Sequence, residues 1–119
     1  MPPTDRDLML IERILEDAAT LEKRVEHFGL TEASFCADHS FEGELAYDAV
    51  MNPLYRIAED VVHLSDELKG DFPSYPWKEI RGFRNFVAHG YSEIDRHIAW
   101  RIIEKDIPQL RTLLEQPHS

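Results

Sequence analysis

The chain has 119 residues, 43% of them hydrophobic and 30% charged, with a net charge of −10 and a pI near 4.9. That length suits one domain over residues 1–119 with a single core, and the composition excludes a disordered chain. It also excludes a broad basic surface for nucleic acid, a membrane span of roughly twenty apolar residues, and, with Cys36 alone, an intrachain disulfide.

Thr4 caps a first helix in which Leu8, Ile11, Leu15, Ala18, Leu21, Val25 and Phe28 recur at three- and four-residue spacing, and Gly29 stops it. Both ends, near 1–4 and 116–119, are expected to fray. Residues 31–39 read as a connecting segment. Leu54, Ile57, Val61, Leu64 and Leu68 then mark a second apolar stripe ending near Gly70. Asn52-Pro53 serves either as N-cap and first-turn proline of that helix or as a kink in one that began near Ser40. A third helix runs from Pro76 to Gly90 with Ile80, Phe83 and Val87 inward. Residues 92–95 cap a fourth carrying Ile94, Ile98 and Ile102, and Pro108 introduces a kink or a last short helix through Leu110, Leu113 and Leu114. With no strand alternation, repeat or linker, the expected fold is an all-α bundle of four to five helices.

Arg84, His89 and Tyr91 stand at Arg-x4-His-x-Tyr spacing along the third helix and just past its end. Cleaving RNA at its own 2′-hydroxyl needs a proton acceptor, a proton donor and a cation near the developing phosphorane charge; imidazole serves the first two roles and guanidinium the third. Five residues turn a helix through about 500°, so Arg84 and His89 stand roughly 140° apart around the axis. Either His89 swings back where the helix ends at Gly90, or a second copy completes the site across a two-fold axis. Two histidines then share the proton transfers while paired Arg84 side chains hold the phosphate.

Each residue also has a structural role open to it. His89 suits a helix C-terminus, and Arg84 suits an ion pair with Glu79 or with a partner on another helix. Asn85 is a supporting donor and acceptor, and Glu59 an internal hydrogen-bonding partner. Trp77 and Trp100 read as packing anchors. Tyr91 is a poor base at neutral pH but a usable nucleophilic hydroxyl. His27, Cys36, Asp38, His39, His63, His97 and His118 form no tight ligand motif, so neither a metal nor a cofactor is expected.

The run over residues 77–91, followed by Ile94-Asp95 and Trp100, resembles the HEPN ribonucleases and, within them, the HepT-like toxins. Ile57-Ala58-Glu59-Asp60 is similar to that branch's Ile-Gly-Glu-Ala signature, with Ala58 in place of glycine, and residues 106–110 also fit. Ala58 and Pro53 depart from the pattern and put the interface geometry, more than the Arg84–His89 pair, in question. The resemblance implies a HEPN-like helical domain and a metal-independent endoribonuclease whose site forms at a homodimer interface. It further implies a cognate minimal nucleotidyltransferase antitoxin that transfers AMP to Tyr91. A negative phosphodiester and a bulky adenosine two residues from His89 repel and obstruct substrate phosphate. The competing reading is a non-catalytic helical module that binds a nucleotidyltransferase partner or a nucleotide.

Charge is unevenly spread. Residues 1–72 hold 17 acidic and 6 basic side chains, hence −11, whereas residues 73–119 hold 6 and 7, hence +1. An RNA substrate is therefore expected to be gripped locally, by Lys78, Arg81, Arg84 and Arg96, leaving acidic surface for a basic protein partner. The acidic start lacks the features of a secretory signal, so a cytoplasmic location is expected.

Overall fold

The computed structural model describes residues 3–90 and 93–116. Among these, seven α-helices and one π turn follow in order: α1 Asp5–His27, α2 Glu32–Ala37, α3 Phe41–Val62, α4 Asp66–Gly70, α5 Trp77–Ala88, α6 Arg96–Arg101, the π turn Ile102–Asp106 and α7 Ile107–Leu114. No strand occurs among the described residues, and the all-α bundle expected from sequence is what forms. Among the described residues no helix is long and apolar enough to cross a membrane.

Thr4 and Asp7 form a reciprocal capping box, so Thr4 is tied down rather than frayed. The buried stripe of α1 is rotated from the expected one. Leu10 and Ile14 enter the core while Leu8 lies in solvent, because Asp7 is drawn inward. Its carboxylate accepts the Ser65 N–H at 2.9 Å and the Ser65 hydroxyl at 2.6 Å. Burial pushes the Asp7 pKa up, but these bonds and those from Thr4 outweigh it and leave the group below the ordinary aspartate value.

The same contact explains a second difference. The stripe from Leu54 to Leu68 does not lie on one helix. Ser65, held by Asp7, caps α4 separately, and α3 ends before it with His63 as its C-cap. Residues 31–39 are not a plain connector either. Thirty-one to thirty-four form a capping arrangement through Thr31 and Ser34, and α2 buries Phe35 against Tyr47 and Trp100. Of the two roles open to Pro53, the structure takes the helix-interior one: α3 starts at Phe41, capped by Ser40, and runs through Pro53. Gly43 is required there, since a Cβ would collide with the Asp38 carbonyl.

Pairs along α1 and α3 run in opposite directions. Arg24 donates to the Ala49 carbonyl, Arg13 to Asp60 and Ser65 to Asp7, which makes the two helices antiparallel. Against them pack α5 on α3, α7 on α1, and α2 between α3 and α6. Trp77 and Trp100 are packing anchors, as read. Trp77 donates to the Phe72 carbonyl, and neighbouring Tyr75 donates to the Asp106 carbonyl at 2.7 Å. Ile98 is exposed rather than buried, with Ala99, Trp100 and Ile102 taking the inward positions of α6 and the turn after it. Pro108 stands at the start of α7 directly after the π turn, in a stretch whose backbone stays helical from α6 onward, and the wider turn before it relieves the clash of its ring with the preceding carbonyls.

Candidate active site

The rotation of α5 is fixed by Ile80 and Phe83, both in the core, and by the Phe83 ring stacked on Tyr55 of α3 with centroids 6.5 Å apart. Arg84, next in sequence, therefore emerges at the α3–α5 seam. One turn beyond Tyr55, Glu59 meets it. The guanidinium donates from Nε to Glu59 Oε2 at 2.8 Å and from Nη2 to Oε1 at 3.2 Å, while Nη1 donates to Asn85 Oδ1 at 3.1 Å. Of the partners considered from sequence, Arg84 takes the one on another helix; Glu79 pairs instead with Arg101.

Glu59 has a further partner. His63, one turn along α3, stands with Nε2 at 3.1 Å from Glu59 Oε1. The Arg84 hydrogen bonds first and the His63 contact second hold the Glu59 carboxyl down at about 2. Reciprocally, Glu59 raises the Arg84 pKa. An ionised carboxylate only accepts, so the proton in the His63 contact resides on Nε2. His63 was not among the site residues read from sequence, although its four-residue spacing from Glu59 on a helix was a usable signal. Beside the ion pair lies a cleft of about 140 Å³ walled by Tyr55, Ala58, Phe83, Val87 and Ala88. Buried Ala58 lines it where the resemblance leads one to expect glycine.

His89 is the C-cap of α5. Its backbone is still helical, with φ −81° and ψ −1°, and the chain turns only afterwards, at Gly90 with φ +68°. The imidazole therefore does not swing back by a change of backbone before it. The separation of about 140° around the axis holds, with Arg84 toward α3 and His89 exposed. Tyr91 lies outside the described residues.

Lys78, Arg81 and Asn85 share the solvent face of α5 with His89. Arg96 does not join them. Its Nη2 donates to both Glu44 oxygens at 2.8 and 3.0 Å, its Nη1 donates to the Phe35 carbonyl, and the guanidinium covers the Tyr47 ring at 3.7 Å, bracing α6 against α2 and α3. Half-buried Cys36 approaches His97 at 3.4 Å on that side of the fold, and burial first, then Glu32, pushes its thiol pKa up.

Gly82 and Phe86 are also on the solvent face of α5. Together with Phe83, Ile94 and Ile98 they line an apolar cleft of about 420 Å³ rimmed by Glu79, Glu93 and Asp95. The face thus has a basic edge at Lys78 and Arg81 and an acidic edge on the other side of an apolar centre. A cation, an amide and an imidazole along one helix can bind a phosphodiester and move protons around it.

Comparison with known proteins adds an independent finding. The profile of the family described as ribonuclease HepT-like matches residues 11–117. A provisionally named RNase of Caldanaerobacter subterraneus subsp. tengcongensis is 30% identical over 106 residues, which cover 89% of this chain and 88% of that one. The protein named "Probable ribonuclease HepT" in Thermococcus cleftensis is 26% identical over 102 residues, 86% of this chain and 90% of that one. A provisionally named RNase of Methanocaldococcus jannaschii is 34% identical over 67 residues, 56% of this chain and 62% of its own length, so the matched part spans less than two thirds of that relative. No solved structure matches.

Proposed function

The chain belongs to the HepT-like ribonuclease family, and from that premise we propose that it is a metal-independent endoribonuclease acting as a dimer, with Arg84 and His89 from both copies around one scissile phosphate. One His89 accepts the 2′-hydroxyl proton as the 2′-oxygen attacks phosphorus. The other donates a proton to the departing 5′-oxygen, and the products are a 2′,3′-cyclic phosphate and a 5′-hydroxyl. The Arg84 pair stabilises the charge on the phosphorane oxygens.

The observation that carries this reading is that the backbone stays helical from Arg84 through the C-cap His89, which in a regular helix sets the two about 140° apart around the axis. One chain offers one imidazole at this position; a two-fold axis on the solvent face of α5 supplies the second. That face suits self-association about an axis parallel to α5, because that rotation sets the Lys78–Arg81 edge of one copy against the Glu79–Glu93–Asp95 edge of the other, over the apolar centre at Gly82, Phe86 and Ile98. With Lys78 and Arg81 engaged across that seam, the Arg84 pair carries the grip on the scissile phosphate.

In this reading the protein is the toxin of a pair, and a minimal nucleotidyltransferase silences it by moving AMP onto Tyr91. Tyr91 is the second residue after His89 in the sequence. The resemblance of the Arg-x4-His-x-Tyr run supports this part. Expression of the lone chain is expected to arrest growth, with relief by His89→Ala and by co-expression of an active nucleotidyltransferase. Growth arrest that persists in His89→Ala defeats the catalytic reading and favours the binding module.

A further inference from the structure

Three hydrogens converge on the Glu59 carboxylate, two from Arg84 and one from His63. Oε2 takes the Arg84 Nε–H alone, whereas Oε1 is shared between Arg84 Nη2 and His63 Nε2. The carboxylate is itself half exposed and sits on a flexible stem. Without a third anchor it is free to turn about its last bond, and the guanidinium turns with it. His63 is in a good position to prevent this, because as the C-cap of α3 its backbone is fixed by hydrogen bonds to Asp60 and Val61.

Arg84 has two bidentate edges. Glu59 occupies the Nε–Nη2 edge, which leaves hydrogens of the Nη1–Nη2 edge directed away from α3, with Asn85 steadying Nη1. We propose that His63 is a positioning residue for RNA cleavage, locking the Glu59 carboxylate so that the Nη1–Nη2 edge of Arg84 stays aimed at the scissile phosphate. The assignment rests on the ribonuclease reading above. His63 touches neither the substrate nor the reacting atoms; it acts through Glu59 and Arg84. Since Arg84 remains charged without it, ground-state attraction for RNA persists, and what is lost is alignment with the phosphorane. That loss belongs in kcat rather than KM.

The test is steady-state cleavage of one defined RNA by wild type, His63→Ala, His63→Gln, Glu59→Ala and the His63→Ala/Glu59→Ala double variant, with folding checked by circular dichroism. His63→Ala is expected to lower kcat about two- to fivefold with KM little changed, the scale of one exposed charge-assisted contact. His63→Gln, whose amide donates from nearly the same place, restores most of it. In the Glu59→Ala background His63→Ala has no further effect. The proposal is overturned by an unchanged kcat in His63→Ala, by His63→Gln falling as far as His63→Ala, or by a loss that persists without Glu59. Absence of cleavage by wild type is a different result, which defeats the ribonuclease reading and this assignment with it.

Discussion

Glu59 grips Arg84 by two parallel hydrogen bonds, 2.8 and 3.2 Å long, across the seam between α3 and α5. The pair fixes the direction of the Arg84 guanidinium on α5, the helix that ends at His89. Because Glu59 titrates at about 2, the pair stays ionised through neutral and mildly acidic pH, and an acid limb in a rate profile does not come from it.

Glu59→Ala is therefore expected to lower kcat by about tenfold while leaving KM equal or slightly smaller, since removing a carboxylate beside the phosphate site also removes repulsion. Initial rates over a range of RNA concentrations separate the two effects. An unchanged kcat would mean that Glu59 serves the fold alone.

Arg84→Lys keeps a charge but cannot supply the fork to Glu59 and a second edge to phosphate. It is expected to cost on the order of a hundredfold in kcat/KM, within the range for losing a transition-state donor. Equal activity in the lysine variant would argue against bidentate phosphate contact.

Gly82 offers a probe of the two-fold face. A Cβ added there meets nothing within 4 Å and Gly82 is exposed on α5, so Gly82→Trp is expected to fold yet block self-association. Light scattering should report a monomer and the RNA assay should report lost cleavage. Gly82→Ala, by contrast, should keep the dimer and raise stability by about 0.5–1 kcal/mol through helix propensity. A Gly82→Trp variant that remains a dimer places the interface elsewhere.

The Asp7–Ser65 contact predicts a pH dependence of stability. The folded-state pKa of Asp7 is lowered, so its contribution is present above the unfolded-state value and is lost as pH falls through the folded one. Buried Asp60 and Asp106 are shifted the other way, by burial first, and oppose this in the overall curve. The difference between wild type and Ser65→Ala combines a pH-independent loss of the α4 cap with loss of the hydroxyl bond to Asp7, so its change with pH reports Asp7. The difference should be about 1–2 kcal/mol near neutrality and shrink below roughly pH 4, measured by thermal melts. A constant difference down to pH 2 would contradict the assignment.

Much of this arrangement was legible in the residues. Thr4, Gly29 and Gly90 mark helix ends, and Ile80 and Phe83 set which way α5 faces, so the all-α fold and the separation of Arg84 from His89 follow from local chemistry. Contacts that depend on how two helices are rotated against each other were not legible. Asp7 looks like an ordinary first-turn acid until Ser65 is seen to split α3 from α4. Arg96 reads as one more phosphate-binding cation, yet Glu44 and Tyr47 hold it as a brace. His63 escaped because a histidine four residues after a glutamate is common on helices, and only Arg84 on the same carboxylate gives it a role.

The most direct test is to incubate unmodified wild type and His89→Ala with a mixed RNA pool in excess chelator and to map the new ends. The account predicts 5′-hydroxyl and 2′,3′-cyclic phosphate ends with wild type and none with the folded, dimeric variant. No cleavage by the unmodified wild-type dimer, or equal cleavage by His89→Ala, would contradict it.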